Sequence, residues 1–575
     1  MRFYRTVVRP AIQLLDSTDK RNGLFVAALM IMNALLDFFS IATLFAVIFL
    51  VVDPHLTSGN SVMNRLYQWG GFSSPASFTA AICGFVLLFV LAKNMVGMWI
   101  TKKKAQYVFC VGSKLSIQSL VHYTQTDYLT FTNMDHTKEL NRIVNHPMMG
   151  YANNILLPLL NLLSEITMGV LMVVLLASYE VTVLLVLGLI LAPLTIVYKL
   201  KRKKLHAISL ELIDAYPRAL KYAMQAIEGL LEIKVSAKEE FFINRYKQAN
   251  ERLVETLVQE NEAQAFIARL TEVIAVFLLC ALVIYATFQQ GGYQKTVLLL
   301  GVYGAASFRI IPSLNRIFAS ILQIKTHIHL LAEMEMGARI VSKKSSIETA
   351  AYSQWKKIEF NDFSFKYPDN STLFQKSSIS IARGERIAIL GKSGSGKTTL
   401  LLLLMRQIRQ NEGNYLIDGV AVEHDEASRK LFGYVPQHPF MIDGTISENI
   451  AFGVPKDQVN LDRIKSILTD LDLLHWVESV PEGWNTRIGE KGTKLSGGQL
   501  QRISIARALY ADASILLLDE ITNQVDRVTE LEVVATLEKL SHLNKTIIMV
   551  MHREDFQINF DRILVLEGGT LRERH

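Results

Sequence analysis

Cysteine is scarce in this chain: three residues in 575. Cys83, Cys110 and Cys280 stand far apart and have no metal-ligand spacing, so neither a disulfide framework nor a thiolate metal centre is implied. Two of them lie in apolar runs, which predicts buried free thiols. A dominant charge of one sign is also missing, since 60 Lys and Arg face 53 Asp and Glu for a net +7. Neither a helix-turn-helix nor an RNA-recognition signature is present. The small surplus therefore points to loops facing a membrane rather than to nucleic acid.

Apolar sequence, by contrast, is abundant in the front half. A membrane-spanning helix needs about 20 mostly apolar residues. Six runs qualify: Leu24–Val52, Ala76–Ile100, Asn153–Tyr179, Val181–Tyr198, Ala265–Phe288 and Thr296–Ile324. The first is too long for a signal peptide and has no small-residue cleavage site, so it is expected to be retained. Arg2, Arg5, Arg9, Lys20 and Arg21 precede run 1, Lys102–Lys104 follow run 2, and Lys199–Lys204 follow run 4. The opposite loops hold only Arg65 and Lys295. Basic residues mark the cytoplasmic side. The reading is therefore a multi-pass plasma (inner) membrane protein with its amino terminus and carboxyl-terminal half in the cytoplasm. Connections 101–152 and 199–264 are long, charged and helical in period, as helices projecting beyond the bilayer would be. Ser61–Trp69, in the first outer loop, reads either as a short amphipathic helix at the membrane surface or as an unstructured loop.

From about residue 355, apolar strand-like runs alternate with helical patterns, which predicts a soluble α/β domain. The expected division is 1–330 for the membrane domain, 331–354 for a linker and 355–575 for the α/β domain. Arg386–Leu390 leads as a strand into Gly391-Lys392-Ser393-Gly394-Ser395-Gly396-Lys397-Thr398, and Thr399–Arg406 continues as a helix. That is a phosphate-binding P-loop: its glycines let backbone N–H groups curl around phosphates, Lys397 reaches the terminal ones, and Thr398 can ligate Mg²⁺. About a hundred residues on, Leu495-Ser496-Gly497-Gly498-Gln499 is a glycine turn opening a helix, which aims N–H groups at an anion. The apolar strand Ile515–Leu518 then ends in Asp519 and Glu520.

These motifs in this order, behind a hydrophobic front half, resemble ABC transporters from end to end. The resemblance implies a polytopic α-helical membrane domain with six transmembrane helices, fused to a P-loop α/β ABC ATPase domain that uses ATP and Mg²⁺. It implies that Asp519, Thr398 and Gln437 hold the metal, that Glu520 polarises the attacking water, and that His552 contacts the γ-phosphate. Tyr367 would stack on adenine. Asp526 closes the D-loop, which here reads Ile521-Thr522-Asn523-Gln524-Val525-Asp526 with unusual polar residues in its middle. His552 is followed by Arg553-Glu554-Asp555, another departure from the common pattern. In this family Ser496, Gly497, Gly498 and Gln499 close over ATP bound to the opposite subunit. One chain with six spans and one ATPase domain is thus a half-transporter, and the complete catalytic set favours a homodimer over a heterodimer. Coupling helices are expected near Tyr123–Tyr128 and Tyr216–Ala223.

The cargo has to be read from the membrane half. Arg309 and Arg316 are two helical turns apart within run 6, on one face. Run 2 holds Lys93 and run 5 holds Arg269. Ionisable residues inside spans are costly and usually face a protein interior or a watery path. Together the four predict a cytoplasm-facing cavity for an anionic headgroup, phosphate or pyrophosphate. Snorkelling to lipid headgroups is the alternative for Arg316, Arg269 and Lys93. The arrangement R-x-x-P-S-x-x-R-I, with basic residues in runs 2 and 5, resembles the PglK group of flippases for lipid-linked oligosaccharides. Lys93 replaces the arginine expected there, which keeps charge but loses bidentate pairing. Export of another lipid, a peptide or a drug stays open, although about 22 residues before run 1 leave no room for a peptidase domain. A non-transporting ABC protein that gates a channel is the reading from a different class.

Overall fold

The computed structural model describes residues 3–52, 62–72, 74–179, 204, 207–208, 210–288, 292–338, 352, 354–422, 426–489, 492–521, 535–539, 545–551 and 559–574. The chain forms two compact units. One comprises Met1–Thr126 and Asn133–Ser342, the other Lys343–His575 together with the short stretch Asp127–Thr132.

The first unit is helical. Its long elements are α1 (Ser17–Val52), α3 (Pro75–Gln125), α5 (Leu157–Tyr179), α7 (Glu239–Phe288) and α8 (Gly292–His327). They contain four of the six apolar runs whole and most of Asn153–Tyr179, whose first residues end a π-helix, His146–Leu156; Val181–Tyr198 lies outside the described residues. At 51 residues, α3 measures about 75 Å at 1.5 Å per residue, far more than a bilayer core. The 50 residues of α7 do likewise. By length and composition, Ser17–Thr43, Ala76–Gln125 and His136–Leu175 can cross a membrane. The short helix, one of the two readings of Ser61–Trp69, is present as α2 (Val62–Trp69), where Tyr67 stacks on Phe72 and meets Phe78 edge-on while Trp69 stays exposed.

Apolarity misled the sequence reading at the cysteines. Cys83, Cys110 and Cys280 are all exposed on this chain. In a bilayer the apolar side of a helix is stable against lipid, so hydrophobicity no longer implies burial within the protein. Leu87, Leu88, Leu91, Met95 and Met98 on α3 are exposed for the same reason.

At the positions expected for coupling helices, the helix boundaries are as follows. Tyr123–Gln125 is still α3, and the next helix, α4, is Tyr128–Asn133. Asp127 starts it: its carboxylate accepts from the Thr130 N–H at 2.9 Å and from the Thr130 hydroxyl at 2.6 Å. Asp-x-x-Thr is a helix N-cap signal, so the turn falls one cap later than position alone suggested. Leu129 of this helix packs against the core of the second unit. Residues 216–223 lie inside continuous helix, 210–228, and the short helix of that connection is α6 (Leu230–Val235).

The second unit has two sheets. β1 (Lys357–Lys366), β2 (Thr372–Ala382), β4 (Glu412–Ile417) and β5 (Val420–Ala421) form an antiparallel sheet ordered β2-β1-β4-β5. β3 (Arg386–Leu390), β6 (Phe432–Val435), β7 (Ile515–Asp519), β8 (Thr546–Met551), β9 (Arg562–Glu567) and β10 (Thr570–Arg574) form the order β10-β9-β3-β8-β7-β6. All neighbours in it are parallel except β9 and β10. Every residue of β7 and β8 is buried, as expected for central parallel strands covered on both faces. Helices α9 (Lys397–Leu404) and α10 (Gly497–Tyr510) follow the two glycine motifs.

Candidate functional site

Leu390 lies opposite Met551 and Asp519 opposite Val550. The carboxyl ends of β3, β7 and β8 therefore share one edge, which is where open parallel sheets present ligands. The P-loop starts there. Gly394 and Gly396 have φ of +79° and +100°, and a Cβ on Gly396 would come within 2.9 Å of Leu373, so only glycine fits. Lys397 opens α9 and is buried, donating to the carbonyls of Gly391 (2.9 Å) and Lys392 (3.1 Å). Its ammonium is 3.5 Å from Glu520 Oε1. Lys392, Ser393 and Gly394 form the exposed crest of the loop. Glu520 itself is held at φ +52°, a left-handed conformation that costs a non-glycine residue about 1–2 kcal/mol and is concentrated at functional sites.

The Thr398 hydroxyl donates to Asp519, and Tyr434 Oη donates to Asp519 Oδ2 at 3.0 Å. Tyr367 shares a 2.7 Å hydrogen bond with the Thr399 hydroxyl and meets Phe365 edge-on, which places its ring beside the start of α9. Gln437 is half-buried, and its carbonyl accepts from Gln501 Nε2 at 3.0 Å. Ser496 and Gln499 are brought together as a mutual cap on α10: the Gln499 N–H donates to Ser496 Oγ and the Ser496 N–H to Gln499 Oε1. Gly497 and Gly498 form the first turn of that helix. His552 and Asp526 lie outside the described residues.

Burial pushes the Asp519 carboxyl above its ordinary range, although Thr398 and Tyr434 donate to it. Asp519 Oδ1 and Ser395 Oγ are buried without a hydrogen-bond partner among the described residues. Orphaned buried acceptors call for a missing partner. A hard cation with oxygen ligands would satisfy Oδ1, and phosphate oxygens would accept from Ser395, so the residues fit a magnesium nucleotide. Among the described residues no group of three or more His, Cys, Asp or Glu is placed to hold a metal. Mg²⁺ takes one or two carboxylates and completes its shell with phosphates and water.

In the helical unit, the four cations do not form one basic wall. Lys93 Nζ donates to Asp37 Oδ1 at 2.7 Å, and Arg309 pairs with the other oxygen of Asp37. Arg316 pairs with Glu165, whose second oxygen accepts from Ser313 Oγ at 2.5 Å. Arg269 is 84% exposed, lies 3.9 Å from Glu272 on its own helix, and is not brought together with the others. Arg309 and Arg316 do share one helix, but each answers to a different carboxylate.

Residues 374–523 match the family model described as ABC transporter. The ATP-dependent lipid A-core flippase of Paraburkholderia xenovorans (strain LB400) is 32% identical over 358 residues, covering 61% of this chain and 59% of that protein. That of Bordetella avium (strain 197N) is 28% identical over 439 residues, covering 74% and 72%. The chain thus spans about three fifths of the length of the Paraburkholderia relative. A solved bacterial Atm1-family ABC exporter with ATP bound superposes with a TM-score of 0.74 at 22% identity, covering 97% of this chain and 95% of that one. The chain has the fold of an ABC exporter. Its second unit contains the segment that matches the ABC transporter model, and its first corresponds to the helical membrane part of that fold.

Three residues of this ABC exporter fold escaped the sequence reading. Asp37 and Glu165 were hidden because only cations were counted inside the apolar runs. Tyr434 was hidden because a strand tyrosine reads as core; it is two strand positions before Pro436, on the β6 edge next to β7. Burial, and then the Asp519 charge, raise its hydroxyl well above the ordinary tyrosine range, so it stays a donor, and Tyr128 of α4 adds to the effect. Outer-shell donors of this kind typically set metal affinity by 10- to 100-fold. Tyr434→Phe is expected to raise the Mg²⁺ concentration for half-maximal ATP hydrolysis about tenfold, leaving metal-free nucleotide binding unchanged. A magnesium titration of phosphate release, with a fluorescent nucleotide in EDTA as the second arm, measures both.

Proposed function

We propose that this chain is an ATP-driven flippase that carries an anionic amphipathic lipid from the cytoplasmic to the outer leaflet. Its specific cargo, in this reading, is a polyprenyl-pyrophosphate-linked oligosaccharide. The observation that carries the ATPase part is the convergence of Lys397, Glu520 and Asp519 at the carboxyl edge of one parallel sheet. The cargo part is supported by cations held within membrane helices, Lys93 and Arg309 above all. The relatives described as lipid A-core flippases support a lipid as cargo and favour, as a second reading, a lipid other than an oligosaccharide carrier.

In the proposed cycle Lys397 and the P-loop N–H groups bind the phosphates of ATP, and Tyr367 carries the adenine. Asp519, Thr398 and Gln437 would hold Mg²⁺, which when bound neutralises charge on the phosphates. Glu520 accepts a proton from the water that attacks the terminal phosphorus, while His552 steadies the γ-phosphate. Ser496 to Gln499 exchange their mutual cap for the ATP of a second copy, so a homodimer has two composite sites. Asp526 lies in the loop that links them. ATP binds the closed arrangement of the dimer better than the open one, and that difference shifts the membrane domains from inward to outward. The protein sits in the plasma (inner) membrane with its ATPase domain in the cytoplasm.

Purified protein in liposomes tests the reading. A labelled polyprenyl-pyrophosphate oligosaccharide is expected to change leaflet with ATP and to stay in place in Glu520→Gln. Hydrolysis without movement of that lipid, but with movement of lipid A, would establish the second reading.

A further inference from the structure

Asp37 has an arrangement of charge that Glu165 does not. Among the described residues Glu165 makes one ion pair, to Arg316, feels the charge of Lys104 besides, and fills its second oxygen with Ser313. Asp37 on α1 instead faces two cations, Lys93 from α3 and Arg309 from α8. The three side chains are 15%, 17% and 26% exposed, so little water is available to any of them. Among the described residues one unit of positive charge is left over. Among the described residues the Arg309 Nε–H is buried with no hydrogen-bond partner, a donor left unused by the carboxylate. Pro312, inside α8 one turn on, has no N–H to give the helix ladder beside Arg309.

We infer that Lys93 and Arg309 form an anion site for a phosphate-type headgroup, and that Asp37 is its internal counter-ion, displaced when that headgroup binds. This rests on the flippase reading above. Two unpaired cations so deep in a span would be costly, and Asp37 removes most of that cost while the site is empty. A single carboxylate is nonetheless a poor match for the pair. A phosphate or pyrophosphate brings more charge and more acceptor oxygens, and the guanidinium fork can take two of them, including through the unused Nε–H. Displaced, Asp37 cannot remain buried without a partner, since an uncompensated buried charge is strongly destabilising. Headgroup binding is therefore linked to release of α1 from α3 and α8, and the linkage is reciprocal. Whatever loosens α1 raises affinity for the headgroup.

The test uses the full-length dimer in nanodiscs with three probes: geranylgeranyl pyrophosphate, the neutral alcohol geranylgeraniol, and inorganic pyrophosphate. Asp37→Asn removes the competing charge at nearly constant size. It is expected to bind the prenyl pyrophosphate about tenfold more tightly than the unmodified protein, the effect of one partly screened charge, with binding of the alcohol unchanged. Asp37→Glu, which keeps the charge, should bind like the unmodified protein. It also serves if the asparagine variant does not fold, because lengthening the acid changes packing but not charge: a gain in Asp37→Glu would overturn the counter-ion. So would an unchanged or weaker affinity in folded Asp37→Asn when the unmodified protein binds the probe. If neither protein binds the prenyl pyrophosphate while both hydrolyse ATP, the anionic-cargo reading itself fails, and the counter-ion with it. Equal affinity for inorganic pyrophosphate would assign the site to a free anion; preference for the prenyl form assigns it to a lipid.

Discussion

Glu520→Gln is expected to lower ATP hydrolysis by at least about a hundredfold, the scale of a lost general base, while ATP binding survives. The reasons are geometric. Glu520 is the first residue after β7, its N–H donates to the Val550 carbonyl at 3.2 Å, and its carboxylate lies beside the P-loop lysine. Its position is rigid because the backbone is held in the left-handed region between two buried strands. Glutamine has the same shape and accepts the same strain, so the fold is kept; what is lost is the ability to take a proton from water. Loss of the Lys397–Glu520 ion pair frees the ammonium for phosphate, so nucleotide affinity should hold or rise. Single-turnover phosphate release and equilibrium binding of a fluorescent ATP analogue separate the two effects. Hydrolysis above about a tenth of the original rate would assign the base to another group.

Asp519→Asn should be as damaging to turnover, by about a hundredfold or more for a lost metal ligand, yet should not weaken the nucleotide-free fold. Asp519 is 4% exposed, one of its oxygens has no partner among the described residues, and burial raises its folded pKa. The sign follows from that direction. A raised folded pKa means the protonated form is favoured in the fold, so this group's contribution is fully present below the ordinary carboxylate pKa. It is lost as pH rises through the folded value. At neutral pH the ionised Asp519 therefore opposes folding until a cation binds, and a neutral amide relieves it. Thermal melts of the nucleotide-free variant should lie at or above those of the unmodified protein. The stabilisation that magnesium and ATP add together should disappear. A lower melting temperature without nucleotide would mean that Asp519 serves the fold through its hydrogen bonds with Thr398 and Tyr434 more than it serves a metal.

The two predictions draw on different kinds of legibility. The P-loop, the glycine turn at Ser496 and the acidic pair after Leu518 could be read along the chain because each is a short segment whose backbone geometry is set by its own residues. Gly394 and Gly396 must be glycine wherever that loop occurs. The apolar runs were legible for a similar reason: a bilayer demands a length and a composition, both one-dimensional quantities. Their helices follow, α3 and α7 included, and so does the alternation that builds the parallel sheet. What apolarity could not say is which face turns inward, since lipid and protein interior accept the same side chains. Cys83 and Cys280, which lie inside apolar runs, are exposed for that reason.

Contacts between distant segments were decided only by the tertiary structure. Asp37 and Arg309 are 272 residues apart, and Glu165 and Ser313 are 148 apart. No local pattern selects those partners; the packing of α1, α3, α5 and α8 does. Counting cations in spans found Lys93, Arg309 and Arg316, but their net charge depends on carboxylates carried by other helices. Tyr434 and Asp519 show the same rule in the ATPase domain, where neighbouring parallel strands bring together side chains 85 residues apart. The sequence by itself determined the chemistry available to this protein, because motif geometry and hydrophobic length are local. The folded chain decided which charges stand free and which are matched, because electrostatic energy depends on distance in space and not on distance along the chain.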